Sequence, residues 1–363
     1  MRLLIAGGGT GGHLYPGIAI ADEAVRRGGE VLFVGTSRGI VTRAVPAAGY
    51  ALETLEVSGL KRMGLAKTVR GLVRLPLALW KSMAILRRFR PNVVVGVGGY
   101  ASGPMVLVAG ILGYATAIQE QNSVPGITNR ILGRIVRVVF TAFEEAARFF
   151  PARKIERLGN PARKAIVAAL EGLDGSPAPD GKLRILVVGG SQGARAVSEL
   201  VLGAAEILAK QSVDFSLVHQ TGSADAERIE SRYRELGLAS QVAVRAFIDD
   251  MAAAYGAADL VIGRAGALTL AELAIAGKPA ILIPLPTAAD DHQSKNAARF
   301  AEAGAALVLD QRRSSAEDLA AAVETLARDA GKRAAMGKAM RELARPKAAE
   351  AIVERLQALA KRV

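Results

Sequence analysis

The sequence predicts an α/β protein made of two Rossmann-like domains, each built on a parallel sheet. Three observations carry this reading. A glycine-rich turn follows a short apolar strand at residues 3–13 ("LLIAGGGTGGH"), and the same grammar restarts at Arg184 with "RILVVGGSQGARAVSELVLGAAEILAK". Short apolar runs bounded by glycine recur along both halves, separated by helix-length segments. At 363 residues the chain is about twice the usual size of a single domain.

The elements follow in order. Leu3–Ala6 and Val31–Val34 read as strands around a helix at about Pro16–Arg27. Val93–Ile118 ("VVVGVGGYASGPMVLVAGILGYATAI") carries no charge over 26 residues, long enough to cross a bilayer. Its six glycines and Pro104 are instead grouped as strand, glycine-rich turn, short helix and strand, so the segment is expected to be a buried βαβ unit of a soluble protein. Strands are expected at Val93–Val97 and Thr116–Ile118. After Arg184 the helix puts Val197, Leu200, Val201, Ala204, Ile207 and Leu208 on one face. Strand-like runs then recur at 215–218, 242–244, 260–262, 280–283 and 306–309. The last helix gathers Ile352, Leu356, Leu359 and Val363 on one side and needs a surface to dock on. "GLDGSPAPDG" (172–181) has the composition of a linker or exposed loop.

Composition narrows the function classes. There is no cysteine, which removes disulfides and thiolate chemistry and suits a reducing compartment. The apolar run before the first glycines is too short for a secretory signal. Charge is lopsided: residues 1–161 hold 21 Lys+Arg against 9 Asp+Glu, a net of +12, whereas the remainder holds 26 against 25. Within Ser58–Arg90 there are nine basic residues and no acid, interleaved with leucines, Met63, Met83, Trp80 and Phe89. Such a stretch suits anionic lipid headgroups, each cation contributing about 1 kcal/mol near the surface. Nucleic acid is not the expected partner, because aromatic content is only 4% and no zinc-finger or RNA-recognition signature occurs.

The first glycine loop fits a dinucleotide fingerprint as Gly7-x-Gly9-x-x-Gly12. Glycines let backbone approach a phosphate, and N–H groups at the following helix start supply partial positive charge. That spacing alone is weak. A nicotinamide site also asks for an acid at the end of the second strand, which here reads "FVGTSRG"; Ser37 and Arg38 there leave an NADP-type site open. His13 is what a plain dinucleotide loop does not require. At the mouth of the loop a histidine can donate to an anion or take a proton from a hydroxyl.

Nine blocks in order carry a family resemblance: "GGTGGH" (8–13), "VGVGGYASGP" (95–104), "QEQNSVPGITNR" (119–130), "GNPAR" (159–163), "VVGGSQGARAVSE" (187–199), "HQTG" (219–222), "FIDDMAAAY" (247–255), "GRAGALTLAEL" (263–273) and "LPTAADDHQSKNA" (285–297). Together they resemble the MurG family of glycosyltransferases. The resemblance implies the glycosyltransferase-B fold. It also implies transfer of N-acetylglucosamine from UDP-N-acetylglucosamine to undecaprenyl-diphosphate-linked muramoyl-pentapeptide, lipid I to lipid II, in peptidoglycan synthesis. The domains it implies are 1–161 plus 348–363 for acceptor and membrane, and 162–347 for the UDP sugar. The expected location is peripheral, on the cytoplasmic face of the bacterial inner membrane.

The same resemblance implies the site residues. Glu272 matches the acid that binds ribose hydroxyls, a task a carboxylate does well by accepting two hydrogen bonds. Ser191 looks like the phosphate-binding serine, Arg163 the arginine near the diphosphate, and Ile248 the position whose backbone reads uracil. Ala267, Leu268, Thr269, Leu270 and Ala271 complete the donor run with Glu272, and Gln293 is a partner for a sugar hydroxyl. Thr10, Gly11, Gly12 and Asn122 come from the first domain to the sugar and phosphates. Gly8, Gly9, Gly98 and Gly99, with Tyr100 alongside, supply N–H donors for the acceptor diphosphate.

Inverting transfer by single displacement needs a base for the acceptor C4 hydroxyl and support for departing UDP. His13 and Glu120 are the two base candidates; His13 is preferred for its ordinary pKa of about 6.5. His13 as an imidazolium clamp on diphosphate, and Glu120 as an orienter of the loop holding Asn122, stay open. No cofactor and no metal are expected: the acid pairs at 249–250 and 290–291 lack the separated spacing of a metal-dependent sugar transferase. Two departures stand out, Gln119 in place of a histidine before "EQN", and Val41 in place of an acid. A UDP-N-acetylglucosamine 2-epimerase of similar fold, an NADP-dependent oxidoreductase and a non-catalytic lipid-binding scaffold are the rival readings.

Overall fold

The computed structural model describes residues 1–57, 65–170, 181–190 and 193–361, with backbone alone over 65–74. Ser191, the segment 172–180, residues 58–64 of the basic stretch and Val363 therefore lie outside the described residues. The chain divides into two compact units, Met1–Lys164 with Arg345–Val363, and Ala165–Ala344. The boundary falls after Lys164, so Arg163 belongs to the first unit.

The first unit runs β1 (Arg2–Gly7), α1 (Gly11–Arg26), β2 (Glu30–Thr36), α2 (Val41–Ala47), β3 (Ala51–Leu55), α3 (Leu65–Phe89), β4 (Val93–Gly98), α4 (Ser102–Ile111), β5 (Ala115–Glu120), α5 (Ile127–Leu132), β6 (Val138–Thr141) and β7 (Ile155–Arg157). α6 (Lys164–Leu170) leads across the boundary into the second. That unit continues with β8 (Leu183–Val188), α7 (Arg195–Lys210), β9 (Phe215–Gln220), α8 (Ala226–Glu235), β10 (Val242–Arg245), α9 (Met251–Ala257) and β11 (Leu260–Gly263). Then come α10 (Ala267–Ala276), β12 (Ala280–Leu282), α11 (His292–Glu302), β13 (Ala306–Val308), α12 (Ala316–Arg328) and α13 (Ala330–Glu342). The last helix, α14 (Ala348–Ala360), returns to the first unit.

Both sheets are parallel throughout, ordered β3-β2-β1-β4-β5-β6-β7 and β10-β9-β8-β11-β12-β13. Their central strands are apolar on both faces because helices cover both. In β4 all six residues are buried. One face of the first sheet packs Leu14, Ile18 and Ile20 of α1 with Ile352, Val353, Leu356 and Leu359 of α14. That gives the final helix its docking surface, reinforced by Arg355 Nε on Glu156 Oε1 at 2.6 Å. The other face takes Ile85 and Leu86 of α3, Met105 and Val106 of α4, and Leu132 of α5.

The uncharged run at 93–118 is the expected βαβ unit, β4-α4-β5. Among the described residues no helix is long and apolar enough to cross a membrane. One boundary differs from expectation: α1 starts at Gly11, well before Pro16. A proline near the start of a helix removes only one early hydrogen bond, so the extended Thr10 cap, and not the proline, sets where the helix begins.

Candidate active site

In an open parallel sheet, ligands bind beyond the carboxyl ends of the strands where the strand order reverses. That point lies between β1 and β4 in the first sheet and between β8 and β11 in the second. Each is bordered by glycine turns.

In the first unit, the turns after β1 and β4 are packed backbone to backbone, with the Gly8 N–H donating to the Gly98 carbonyl at 3.2 Å. A Cβ at Gly99 would stand 2.2 Å from the Gly8 carbonyl oxygen. α1 begins at Thr10 with no side-chain cap and no acid in its first turn, which leaves its leading N–H groups to a ligand. His13, half-buried in that first turn, lies against Gly98 and has Nδ1 2.9 Å from Oε1 of Gln121. Burial pulls the imidazole pKa below its ordinary 6.5, against a smaller opposing effect of the Gln121 hydrogen bond. The structure thus brings His13, Gly8, Gly9, Gly98 and Gly99 to one crevice. Tyr100, beside them, is exposed.

Glu120, at the end of β5, is buried and occupied. Its Oε1 accepts the Asn122 backbone N–H at 3.0 Å and the Asn122 amide at 3.4 Å, and its Oε2 accepts Asn129 Nδ2 at 2.8 Å. Gln119, where a histidine was expected, is fully buried and donates Nε2 to the Gly159 carbonyl at 3.0 Å. Val41 is likewise a core residue, packed against Gly8 and Gly35. The Arg163 guanidinium lies 5.0 Å from the Tyr15 ring of α1, and its buried Nε meets no acceptor among the described residues.

The second unit repeats the device. Beyond β8, Gly189 and Gly193 lie on the backbone at the end of β9: a Cβ would stand 2.7 Å from the Gln220 carbonyl oxygen at Gly189 and 2.1 Å from that of Thr221 at Gly193. After β11, α10 starts at an extended Gly266 with no side-chain cap. Ala267–Glu272 form its first turn and a half, and Glu272 is buried, accepting the Tyr255 hydroxyl on Oε2 at 3.2 Å. Gln293, in the first turn of α11, accepts the Leu285 N–H on Oε1 at 3.0 Å. Ile248 is half-buried in the loop before α9. Of the acid pairs, Asp250 caps α9 by accepting the Ala253 N–H at 2.9 Å. Asp290 and Asp291 both sit at positive φ just before α11, and Asp291 accepts the Ser294 hydroxyl at 2.6 Å. Such strain collects at functional loops. Among the described residues no group of three or more His, Cys, Asp or Glu is placed to hold a metal ion.

Gln121 and Tyr255 are the residues that the sequence reading did not single out. Both stood inside matched blocks, "QEQN" and "FIDDMAAAY", but nothing in their local pattern shows that each holds another side chain.

Two parallel sheets with a glycine-lined turn at each switch point define the two-domain glycosyltransferase-B class. Residues 3–141 match the glycosyltransferase family 28 N-terminal domain, and residues 184–352 the family 28 C-terminal domain. A relative from Anaeromyxobacter dehalogenans (strain 2CP-1) is named UDP-N-acetylglucosamine--N-acetylmuramyl-(pentapeptide) pyrophosphoryl-undecaprenol N-acetylglucosamine transferase. It is 48% identical over 364 residues, spanning all of this chain and 94% of its own. The crystal structure of Acinetobacter baumannii MurG superposes with a TM-score of 0.82 at 32% identity, covering 98% of this chain and 99% of that one. A UDP-GlcNAc 2-epimerase from Neisseria meningitidis shares the fold alone, with a TM-score of 0.70 at 14% identity over 99% of this chain and 100% of that one. The chain belongs to the MurG family of N-acetylglucosamine transferases.

Proposed function

We infer that this protein transfers N-acetylglucosamine from UDP-N-acetylglucosamine to undecaprenyl-diphosphate-linked N-acetylmuramyl-pentapeptide, making lipid II from lipid I in peptidoglycan synthesis. The observation that carries this is 48% identity along the whole chain to transferases named for that reaction.

The roles divide by unit, Met1–Lys164 with Arg345–Val363 taking the acceptor and Ala165–Ala344 the donor. In the donor unit the uncapped start of α10 and the glycine-rich sequence at 189–193, with Ser191, suit the diphosphate. Glu272 suits the ribose hydroxyls, the Ile248 backbone uracil, and Gln293 a sugar hydroxyl. Arg163 adds positive charge for the leaving group. In the acceptor unit the N–H groups of Gly9, Gly98, Gly99 and Tyr100 suit the lipid-linked diphosphate; that of Gly8, expected to join them, is taken by the Gly98 carbonyl. Thr10, Gly11, Gly12 and Asn122 serve the donor sugar and phosphates.

The chemistry proposed is a single displacement with inversion. The acceptor C4 oxygen forms a bond to the anomeric carbon as that carbon's bond to the β-phosphate oxygen breaks. The C4 hydroxyl proton passes to His13, and UDP leaves with the bonding pair. Glu120, with both oxygens engaged inside its unit, orients Asn122 and leaves the base role to His13.

The reading extends to a peripheral site on the cytoplasmic face of the inner membrane. α3, α4 and α5 lie on one face of the first sheet and expose Leu77, Trp80, Ile111, Ile127 and Ile131 to solvent. With Lys81, Arg87 and Arg130 nearby in sequence, this is an apolar surface among cations, suited to an anionic bilayer.

The test is incubation with labelled UDP-N-acetylglucosamine and a lipid-linked muramoyl acceptor. Label in a lipid-linked disaccharide, with UDP released, is expected. Acceptor-independent conversion at C2 of the sugar would instead mark an epimerase and overturn the reading, as would no turnover with both substrates present.

A further inference from the structure

The Gln121 side chain is buried between β4 and α1 and makes two hydrogen bonds, one on each side of its amide. Nε2 lies 3.0 Å from the carbonyl oxygen of Val97, the penultimate residue of β4. Oε1 lies 2.9 Å from Nδ1 of His13. The two ends of an amide are not interchangeable here. A peptide carbonyl only accepts, so the –NH2 end must face Val97 and the oxygen must face the imidazole. An amide oxygen also only accepts, so Nδ1 must carry a hydrogen.

We propose that Gln121 is a positioning residue that fixes His13 in its Nδ1–H form, leaving Nε2 as the nitrogen that carries the lone pair. This rests on His13 being the base and adds which nitrogen acts and what selects it. The selection runs through backbone: the Val97 carbonyl orients Gln121, and Gln121 orients the ring. Gly98, next in the chain, has no Cβ to displace that ring. The amide fixes the tautomer without adding a charge beside the ring.

The test begins with the unaltered full-length protein labelled with 15N-histidine. There are three histidines, His13, His219 and His292, so a His13→Gln sample assigns the His13 ring. Long-range proton–nitrogen correlation near neutral pH is expected to show His13 with Nδ1 protonated and Nε2 unprotonated. An Nε2–H ring, or an averaged pair of nitrogens, overturns the proposal. In Gln121→Leu the ring is expected to lose its fixed tautomer. In that variant kcat is expected to fall about tenfold or more, part of the roughly 10²–10⁴-fold that a positioned base contributes. The KM for UDP-N-acetylglucosamine is expected to stay within about twofold. Full kcat with an unchanged tautomer in that variant overturns the proposal; if the variant does not fold, the spectrum of the unaltered protein decides. Full turnover by His13→Ala would remove the base assignment while leaving the tautomer result standing, so the two failures are distinct.

Discussion

The imidazole of His13 occupies the space that a side chain at Gly98 would take: a Cβ there would stand 2.8 Å from Nδ1 and 3.1 Å from Cε1. Gly98 also holds φ at +95°, a conformation that costs other residues about 1–2 kcal/mol. Gly98→Ala is therefore expected to push the ring off Gln121. Turnover should fall at least tenfold, while UDP affinity, assigned to the other unit, stays near that of the parent. Steady-state kinetics beside calorimetric UDP titration checks this. Parental kcat would show that the ring tolerates displacement.

His13→Ala removes the proposed base. General-base catalysis contributes about 10²–10⁴-fold, so kcat should fall by that order with little change in UDP binding. The same pair of measurements distinguishes it from a binding defect, which would raise KM and spare kcat. Because burial holds the His13 pKa below 6.5, the neutral imidazole persists into mildly acidic solution, and the acid limb of the kcat/KM profile, which reports the free protein, should lie below that value.

The alternation of strands and helices was legible because glycine turns punctuate it, and the strand starting near Leu3 and the restart near Arg184 fell where expected. His13 stood out because a plain dinucleotide loop does not require an imidazole there, and the structure places it against Gly98 and Gln121. Gln121 was not, since its partner carbonyl belongs to Val97, 24 residues earlier, and is met only when β4 and β5 pair. Gln119 looked like a missing histidine. The structure gives it a different task, holding the Gly159 carbonyl, which no pattern of side-chain types could reveal. The start of α1 was misplaced because Pro16 is a stronger signal on paper than Thr10, although the extended backbone at Thr10 sets the boundary.

In the second unit, Tyr255 is buried and donates its hydroxyl to Glu272. Tyr255→Phe removes that donor and keeps the ring. A hydrogen bond of this kind contributes about 1 kcal/mol, so the Kd for UDP is expected to rise about three- to tenfold as Glu272 loses its orientation. Because the role proposed for Glu272 lies on the nucleotide and not at the reacting carbon, kcat at saturating donor should change little. Titration calorimetry with UDP reads the first effect. An unchanged Kd would take Glu272 out of ribose recognition or Tyr255 out of its support.

His219 on β9 is buried beside Tyr233, with Nδ1 3.0 Å from the hydroxyl oxygen, and burial lowers its pKa to about 4. The unfolded chain takes up this proton at about pH 6.5, whereas the native state resists until about pH 4. Stability contributed by the neutral ring is therefore full above pH 6.5, declines as pH falls through that window, and levels off below it. The loss is about 3 kcal/mol. His219→Phe cannot take up the proton. Urea midpoints at pH 7 and pH 4.5 should converge in this variant relative to the parent, even if Phe lowers both through its different shape. Equal acid sensitivity in both proteins would assign the loss to other groups.

On α3, Ala78, Ser82 and Ile85 turn inward, while Leu77 and Trp80 are 58% and 65% exposed. This outward apolar face suits the membrane surface proposed above. Leu77→Ser with Trp80→Ser removes the apolar part without touching the inner face. Lys81→Glu with Arg87→Glu reverses two cations, each contributing about 1 kcal/mol at an anionic surface. Sedimentation with vesicles rich in anionic lipid should show weaker binding for both pairs. Raised salt should weaken binding of the parent and of the serine pair more than that of the charge-reversed pair, because screening acts on the cations. Turnover of a detergent-solubilised acceptor should survive in both, since neither pair touches the glycine crevice. Parental vesicle binding in both variants would mean that this helix face does not meet the membrane.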